Sequence, residues 1–241
     1  MVRIIPYYPS AGAPAQNLSS QKFWYNTLFM NLPYILWDWN GTLLDDTDAS
    51  IAALNVALRR RGLAPVTRDW YREHFAFPVR PFYAQCGIDL AHEDWDALAR
   101  EYHEDYLREP KGLNAETLAA LRLVRETGRG QSIISALRQD LLDEAVDSTG
   151  IRPFFDFTYG TDNLDGASKI GRARELLKEL GTRGIATDEI VLIGDALHDK
   201  EVADALGARC VLCAQGGHSA ARLRAVAPTS DTLLGALDLV S

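Results

Sequence analysis

Tyr34-Ile35-Leu36-Trp37-Asp38-Trp39-Asn40-Gly41-Thr42-Leu43-Leu44-Asp45-Asp46 is the stretch that decides the fold. It opens on a short continuous apolar run, which predicts a strand buried on both faces. Asp38 closes that run, and Gly41-Thr42 turns the chain at once. A carboxylate at such a strand tip sits where α/β proteins bind ligands, outside the carboxyl ends of parallel strands. It can serve there as a nucleophile or a metal ligand. Asn40 is the residue of this stretch that decides how much catalysis to expect.

Downstream, Ile51, Leu54 and Leu58 recur at helical spacing, and Gly62 stops that helix. Thr67 caps a second helix carrying Trp70 and Tyr71, and Trp95, Leu98, Tyr102 and Tyr106 stripe a third that Pro110 ends. No strand pattern appears between Asp46 and Pro110, so residues 46–111 read as a separate α-helical cap. From Asn114 the pattern alternates. A helix with Leu118, Leu121 and Val124 precedes a strand at Ser132–Ser135, and a helix with Leu141, Leu142 and Ala145 precedes a strand over Phe155–Tyr159. Ser168 caps a helix with Ile170, Ala173, Leu176, Leu177 and Leu180. Strand Ile190–Ile193, helix Glu201–Leu206 and strand Arg209–Cys213 follow. Strands alternating with helices predict a parallel sheet with right-handed crossovers. The expected fold is α/β: a Rossmann-like parallel sheet core, residues 33–45 and 112–241, with the helical cap inserted.

Residues 1–32 form an N-terminal extension broken by Pro6, Pro9, Gly12 and Pro14. Met30 is a candidate start, which would make 1–29 an over-extended reading. The alternative is a flexible tail whose Phe23-Trp24-Tyr25 patch packs on the surface or on a partner.

A chain of 241 residues, 47% hydrophobic, has enough apolar material for a core carrying a smaller insertion. Its net charge of -8 argues against nucleic acid as a partner, since phosphate backbones need clustered Lys and Arg. A bound divalent cation can still bring a phosphorylated small molecule to an acidic protein. No apolar run approaches the ~20 residues of a membrane span. Three cysteines give no disulfide framework. Cys210 and Cys213 lie on one strand, where residues three apart face opposite sides, so they read as buried reduced thiols. The expected compartment is cytoplasmic. Monomer and homodimer are equally compatible with the sequence.

Polar clusters fall where strands end: Asp38-x-Asn40-Gly41-Thr42, Ser135, Lys169 at a helix start, and Gly194-Asp195-x-x-x-Asp199. In a parallel sheet these can converge on one crevice. Asp38, Asp195 and Asp199 would repel one another unless a hard cation relieved them, and Mg²⁺ suits a site completed by waters and a phosphate. Ser135 and Lys169 can hold other phosphate oxygens as charge develops.

Across residues 34–217, in this order and spacing, these motifs resemble the haloacid dehalogenase (HAD) superfamily of phosphohydrolases. The helical insertion is similar to the cap of its phosphoglycolate phosphatase-like branch. The resemblance implies a Mg²⁺-dependent phosphohydrolase acting on a small phosphorylated metabolite through an aspartyl-phosphate at Asp38. It implies that Asn40 offers its backbone carbonyl to Mg²⁺, that Asp195 binds the metal, and that Asp199 binds it or orients its waters. Ser135 and Lys169 would hold the phosphoryl group, with Thr42 and the backbone at Trp39 and Ala136 beside them. The departure is the side chain at 40, where many family members carry a second Asp as acid and base. An amide does neither. Three outcomes follow: leaving groups that need no proton, a substitute such as Asp45, Asp46 or a cap residue, or a phosphate-binding regulatory protein with poor turnover.

Other residues carry plainer readings. His198 is expected to face solvent, His218 to mark a loop or helix entry, and His74, His92 and His103 to lie on cap helices without metal spacing. Arg80, in the loop-like Phe77–Tyr83 segment, either meets a second anionic group of the substrate or stacks on aromatics. Lys111 is the one candidate for a Schiff-base lysine, which a phosphonate hydrolase would need. A mutase would need the missing second Asp, and a dehalogenase would not need Asp195 and Asp199.

Overall fold

Tyr34–Trp37 forms strand β1, the middle of a six-stranded parallel sheet. The computed structural model describes residues 33–162 and 169–240. The expectations for residues 1–32 and for Ser168 as a helix cap lie outside the described residues. The other strands of the sheet are Gln131–Arg138 (β4), Thr158–Thr161 (β5), Ile190–Gly194 (β6), Arg209–Cys213 (β7) and Thr229–Ser230 (β8). Their order is β5-β4-β1-β6-β7-β8. The chain leaves β1 toward β4 and β5, then returns to β6 on the other side. That reversal makes the carboxyl end of β1 the switch point of the sheet.

Side chains alternate across β1. Ile35 and Trp37 join one apolar layer with Ile133, Val191 and Ile193. Helices Thr117–Glu126 (α5), Gln139–Ser148 (α6) and Leu233–Asp238 (α10) cover that layer through residues such as Leu121, Leu142 and Leu237. Tyr34 and Leu36 face the opposite layer with Ile134, Ile190 and Leu192. It is covered by Ile170–Thr182 (α7) and Leu197–Leu206 (α8), through Leu176, Leu180 and Val202. Cys213 belongs to the first layer and Cys210 packs on the second, as their spacing along a strand requires. All three cysteines are free thiols.

Between β1 and β4 lie the helices Thr47–Arg60 (α1), Arg68–His74 (α2), Val79–Gln85 (α3) and Trp95–Arg108 (α4). They share an apolar cluster of Leu54, Leu58, Tyr71, Phe82, Tyr83 and Leu98. Thr67 caps α2, accepting from the Trp70 N–H as expected. Phe77–Tyr83 was expected to be loop-like, but α3 begins at Val79. Pro78 stands at the N-cap and Pro81 in the first turn, where a missing N–H costs no intrahelical bond. Strands Leu44–Asp45 (β2) and Gly112–Leu113 (β3) pair antiparallel where the chain enters and leaves this block. The Arg72 guanidinium donates to the carbonyls of Ala214 and His218, and Arg222 donates back to those of Arg72 and Phe75, clasping α2 to the segment after β7.

β5 starts at Thr158 rather than at Phe155, although ladder contacts begin earlier. The Asp156 N–H donates to Gln131 O, and Phe157 O accepts from Ile133 N. Helix α8 starts at Leu197, four residues before the periodicity shows it. Helix Ala220–Arg224 (α9), α10 and β8 close the chain without a strong sequence signal. Among the described residues no helix is long and apolar enough to cross a membrane. Leu192, fully buried at the middle of β6, tests the sheet. Leu192→Ala is expected to cost about 2–5 kcal/mol in urea unfolding, with activity at saturating substrate retained below the midpoint.

Candidate active site

Register brings the distant motifs together. Trp37 pairs with Ile193 on one side and Ile133 on the other, so Asp38 emerges level with Gly194 and Ile134. The Asp38 N–H donates to Ile193 O at 2.8 Å, which fixes the tip of β1 against β6. Asp195 and Ser135 follow at once on the neighbouring strands. Gly41 turns the chain with φ of 75°, and a Cβ there would collide with the Asp195 carboxylate. A Cβ on Gly216 would meet the same carboxylate. The site thus needs glycine at both places to let backbone approach Asp195.

Asp38, Asp195 and Asp199 each offer a carboxylate oxygen within 4.8 Å of the others, and all three are buried. One ammonium lies among them. Lys169, 2% exposed, contacts Asp38 Oδ1 and sits 2.6 Å from Asp199 Oδ1 and 3.2 Å from Ile134 O. Asp199 Oδ2 accepts the N–H groups of Asp195 and Ala196 at 3.1 and 3.0 Å, so this residue also ties the entry to α8. Asp195 Oδ2 accepts Gly217 N at 2.5 Å and Oδ1 accepts the Thr42 hydroxyl at 3.4 Å. Burial pushes Asp38 up to about 7, with Lys169 opposing and Asp199 adding to the rise. Burial, then the charges of Asp38 and Asp199, hold Asp195 well above the usual carboxylate range. Burial works against the charge on Lys169, yet Asp199 and Asp38 outweigh it and raise its pKa. Three carboxylates against one cation form a set of hard oxygen donors with uncompensated charge, which suits a divalent cation such as Mg²⁺.

Asn40 has defined partners. Its Nδ2 donates to Asp46 Oδ2 at 2.7 Å and lies 3.1 Å from Tyr106 Oη. Tyr106 Oη donates to the same Asp46 oxygen at 2.6 Å, and Gly41 N donates to Asp46 Oδ1 at 2.7 Å. Burial raises the Asp46 pKa, with the three donors opposing. Asn40 Oδ1 faces Ser135 Oγ at 3.5 Å. Asp45, the other acid of the motif, is exposed and lies in the β2–β3 ribbon.

A cavity of about 180 Å³ opens over these groups, with Asp38, Asn40, Asp46, Ala136, Lys169, Asp195 and Asp199 in its wall. Ser135 and Thr42 stand behind that wall, against Asn40 and Asp195 respectively. Arg80 is not among the lining residues; its guanidinium stacks over Trp95 at 4.7 Å. Lys111 donates to the carbonyls of Tyr106 and Glu109 and lies over the Tyr106 ring, also off the wall.

The family model described as haloacid dehalogenase-like hydrolase matches residues 35–213. The chain belongs to the haloacid dehalogenase-like hydrolases. It is 26% identical to a phosphoglycolate phosphatase of Rhodobacter capsulatus over 195 residues, covering 76% of this chain and 85% of the relative. It is 30% identical to a 5'-nucleotidase of Pseudomonas aeruginosa over 212 residues, covering 83% and 90%. A haloacid dehalogenase-like hydrolase of Streptococcus pneumoniae shares the fold with a TM-score of 0.71 at 18% identity, covering 88% of this chain and all of that one.

Two histidines of this HAD-like hydrolase, His198 and His92, depart from expectation. His198 does not face solvent. It is 5% exposed, lines the cavity, packs on Phe77 at 4.9 Å and bonds Glu201 through Nδ1. His218 does enter the loop before α9, but it is buried, and its Nδ1 accepts the Leu197 N–H at 3.0 Å. His103 lines the cavity from α4, whereas His92 lies in a turn rather than on a helix. Sequence reasoning gave no role to Tyr106 and named Asp46 only as one of several substitutes. The spacing of Tyr102 and Tyr106 marked a helix face, and nothing in it distinguished a core tyrosine from one reaching Asn40.

Lys169→Met leaves buried carboxylates without their counter-charge. It is expected to cost about 3–5 kcal/mol in urea unfolding at neutral pH. His218 gives a pH test. Burial pushes it down to about 3, so the folded protein keeps it neutral while the unfolded chain protonates it below about 6.5. Its contribution is complete above 6.5 and is lost as pH falls toward 3. Between pH 6.5 and 5 the wild type should lose about 2 kcal/mol more than His218→Gln, followed by urea midpoints.

Proposed function

We propose that this HAD-like phosphatase hydrolyses monoesters of a small phosphorylated molecule through an aspartyl-phosphate at Asp38. The observation that carries the reading is the placement of Asp38 at the sheet's switch point, in the cavity wall, with Lys169 against it. The phosphatase names of the relatives agree with it. Helices α1–α4, within residues 46–111, act as the cap that roofs the cavity. Mg²⁺ would be held by Asp38, Asp195 and the Asn40 backbone carbonyl, and when bound it supplies positive charge that draws the phosphoryl group toward the carboxylates.

Asp38 attacks phosphorus as the ester P–O bond breaks, and the leaving oxygen departs with the bonding pair. Lys169, with the Ala136 backbone N–H, balances charge on the phosphoryl oxygens, and Ser135 braces Asn40 behind the wall. Asp199 holds Lys169 and the start of α8 in position, and Thr42 steadies Asp195. Water then cleaves the aspartyl-phosphate to release inorganic phosphate and restore Asp38.

Asn40 cannot protonate the leaving oxygen or activate that water. Asp46 is the nearest carboxylate, but three donors already occupy it. General acid–base assistance is worth about 10²–10⁴ in rate. Its absence slows alkyl esters most and lets the aspartyl-phosphate accumulate. Nothing in the comparisons favours the alternative of a non-catalytic binding protein.

With Mg²⁺ and p-nitrophenyl phosphate, stopped-flow mixing should show a burst of nitrophenol close to one per active site, followed by slow turnover. Asp38→Asn should abolish both phases, and chelation of Mg²⁺ should do the same reversibly. Undiminished hydrolysis by Asp38→Asn would falsify the nucleophile assignment. A second test exchanges the two side chains. Asn40→Asp combined with Asp46→Asn conserves charge and moves the carboxylate to position 40. That double variant should raise kcat on an alkyl phosphate by about 10²-fold or more. No gain in a folded double variant contradicts the part assigned to position 40.

A further inference from the structure

We propose that the leaving group of this enzyme is a single uncharged aromatic ring, so that its substrate is an aryl phosphate. The inference rests on the reading of Asp38 as a phosphohydrolase nucleophile. Three features beyond that reading carry it.

The first is the wall of the cavity away from the carboxylates. Phe77, Phe82, Tyr83, Trp95, Tyr102 and Tyr106 line it, with Leu54 and Leu98 between them. Several of these rings already pack edge to face, as Tyr83 does on Trp95 and on Tyr102. Such a wall favours a planar apolar ring, which gains offset or edge contacts beyond the burial of its area.

The second is charge. Glycolate phosphate carries a carboxylate as well as a phosphoryl group, and a buried carboxylate needs a cation. The lysine and arginine in the wall are Lys169 and Arg138. Lys169 is held by Asp38 and Asp199, and Arg138 bonds both oxygens of Asp140. His103 and His198 also line the cavity, but His103 Nδ1 is held on the Ala99 carbonyl, and His198 sits between Glu201 and the Lys169 backbone N–H. Arg80, the cation the sequence offers for a second anionic group, lies over Trp95 instead. No lining cation among the described residues is left over for a second anion.

The third is size and chemistry together. A cavity of about 150 Å³ with apolar walls holds one benzene, so about 180 Å³ has room for one ring beside the carboxylate floor. An aryl oxide also leaves without a proton, which matches the amide at 40 and the fully engaged Asp46 carboxylate. The step balances on its own. The bond from Asp38 to phosphorus forms as the aryl P–O bond breaks, and the aryl oxide takes the electron pair and then a proton from solvent. Water later adds to phosphorus as the Asp38–phosphorus bond breaks, giving inorganic phosphate and the free Asp38 carboxylate, with the water's proton passing to solvent.

The test compares kcat/KM of the wild type with Mg²⁺ on phenyl phosphate, glycolate phosphate and uridine 5'-monophosphate, with Asp38→Asn as control. Phenyl phosphate should be preferred by about 100-fold or more, the low end of what a missing general acid costs the other two. Phe77→Ala, which removes a half-buried ring from the wall, should lower kcat/KM on phenyl phosphate by about tenfold, the upper range of one aromatic contact, with less effect on glycolate phosphate. Equal or better turnover of glycolate phosphate or the nucleotide, abolished by Asp38→Asn, overturns the aryl assignment and leaves the phosphohydrolase reading standing. Absence of turnover on all three, or turnover that survives Asp38→Asn, overturns the phosphohydrolase reading and the aryl assignment with it.

Discussion

A single buried ammonium holds the active-site carboxylates in one place. Lys169 enters from the start of α7, crosses to the tip of β1 and meets Asp38 on one side and Asp199 on the other. Desolvating these groups is costly, and the arrangement persists because each charge has a partner or a backbone donor. Asp199 shows the economy of it: one oxygen takes the ammonium and the other takes two N–H groups at the entry to α8. The same side chain therefore fixes a helix and a charge. Asp195 is left with the least compensation, held by Gly217 N and Thr42 and crowded by two like charges. That imbalance is what would make the cluster receptive to a divalent cation.

The second constraint lies at position 40. An amide there does not leave an empty place, because Asp46, Tyr106 and Gly41 close a compact network around it. Tyr106 comes from α4 and Asp46 from just before α1, so the network also joins the helical block to the loop after β1. A carboxylate is present within 3 Å of the side chain that would otherwise need one, yet it is consumed in holding the loop. On the proposed reading, the chemistry left at the floor of the cavity is nucleophilic and electrostatic, and aromatic rings line the wall away from it. Both properties select the same kind of leaving group.

Much of this was legible in the sequence. Apolar runs ending in Asp38 and in Gly194-Asp195 marked the two central strands, because a buried parallel strand must be continuously apolar and its tip is where polarity returns. Sheet direction alone allowed Asp38, Ser135, Lys169, Asp195 and Asp199 to converge, and their order and spacing carried the resemblance that the family match bears out. What escaped the sequence depended on contacts between elements. The prolines of Phe77–Tyr83 looked like breakers, but their effect depends on standing in the first turn of α3. His198 was expected in solvent, because nothing local shows that Phe77 folds over it. Arg80 could meet a substrate or a ring, and only the packing of α3 beside Trp95 separates the two. Tyr106 is invisible as a partner of Asn40 for the same reason: the contact spans 66 residues.

The central claim is that Asp38 carries the phosphoryl group and that position 40 limits its release. It is tested most directly by quenching the wild-type enzyme in acid during turnover of phenyl phosphate with Mg²⁺ and mapping phosphoryl-bearing peptides by mass spectrometry. The account predicts that most molecules carry one phosphoryl group, on the peptide containing Asp38. A steady state in which that peptide is unmodified while phenol is still released, or in which the phosphoryl group resides on another peptide, would contradict it.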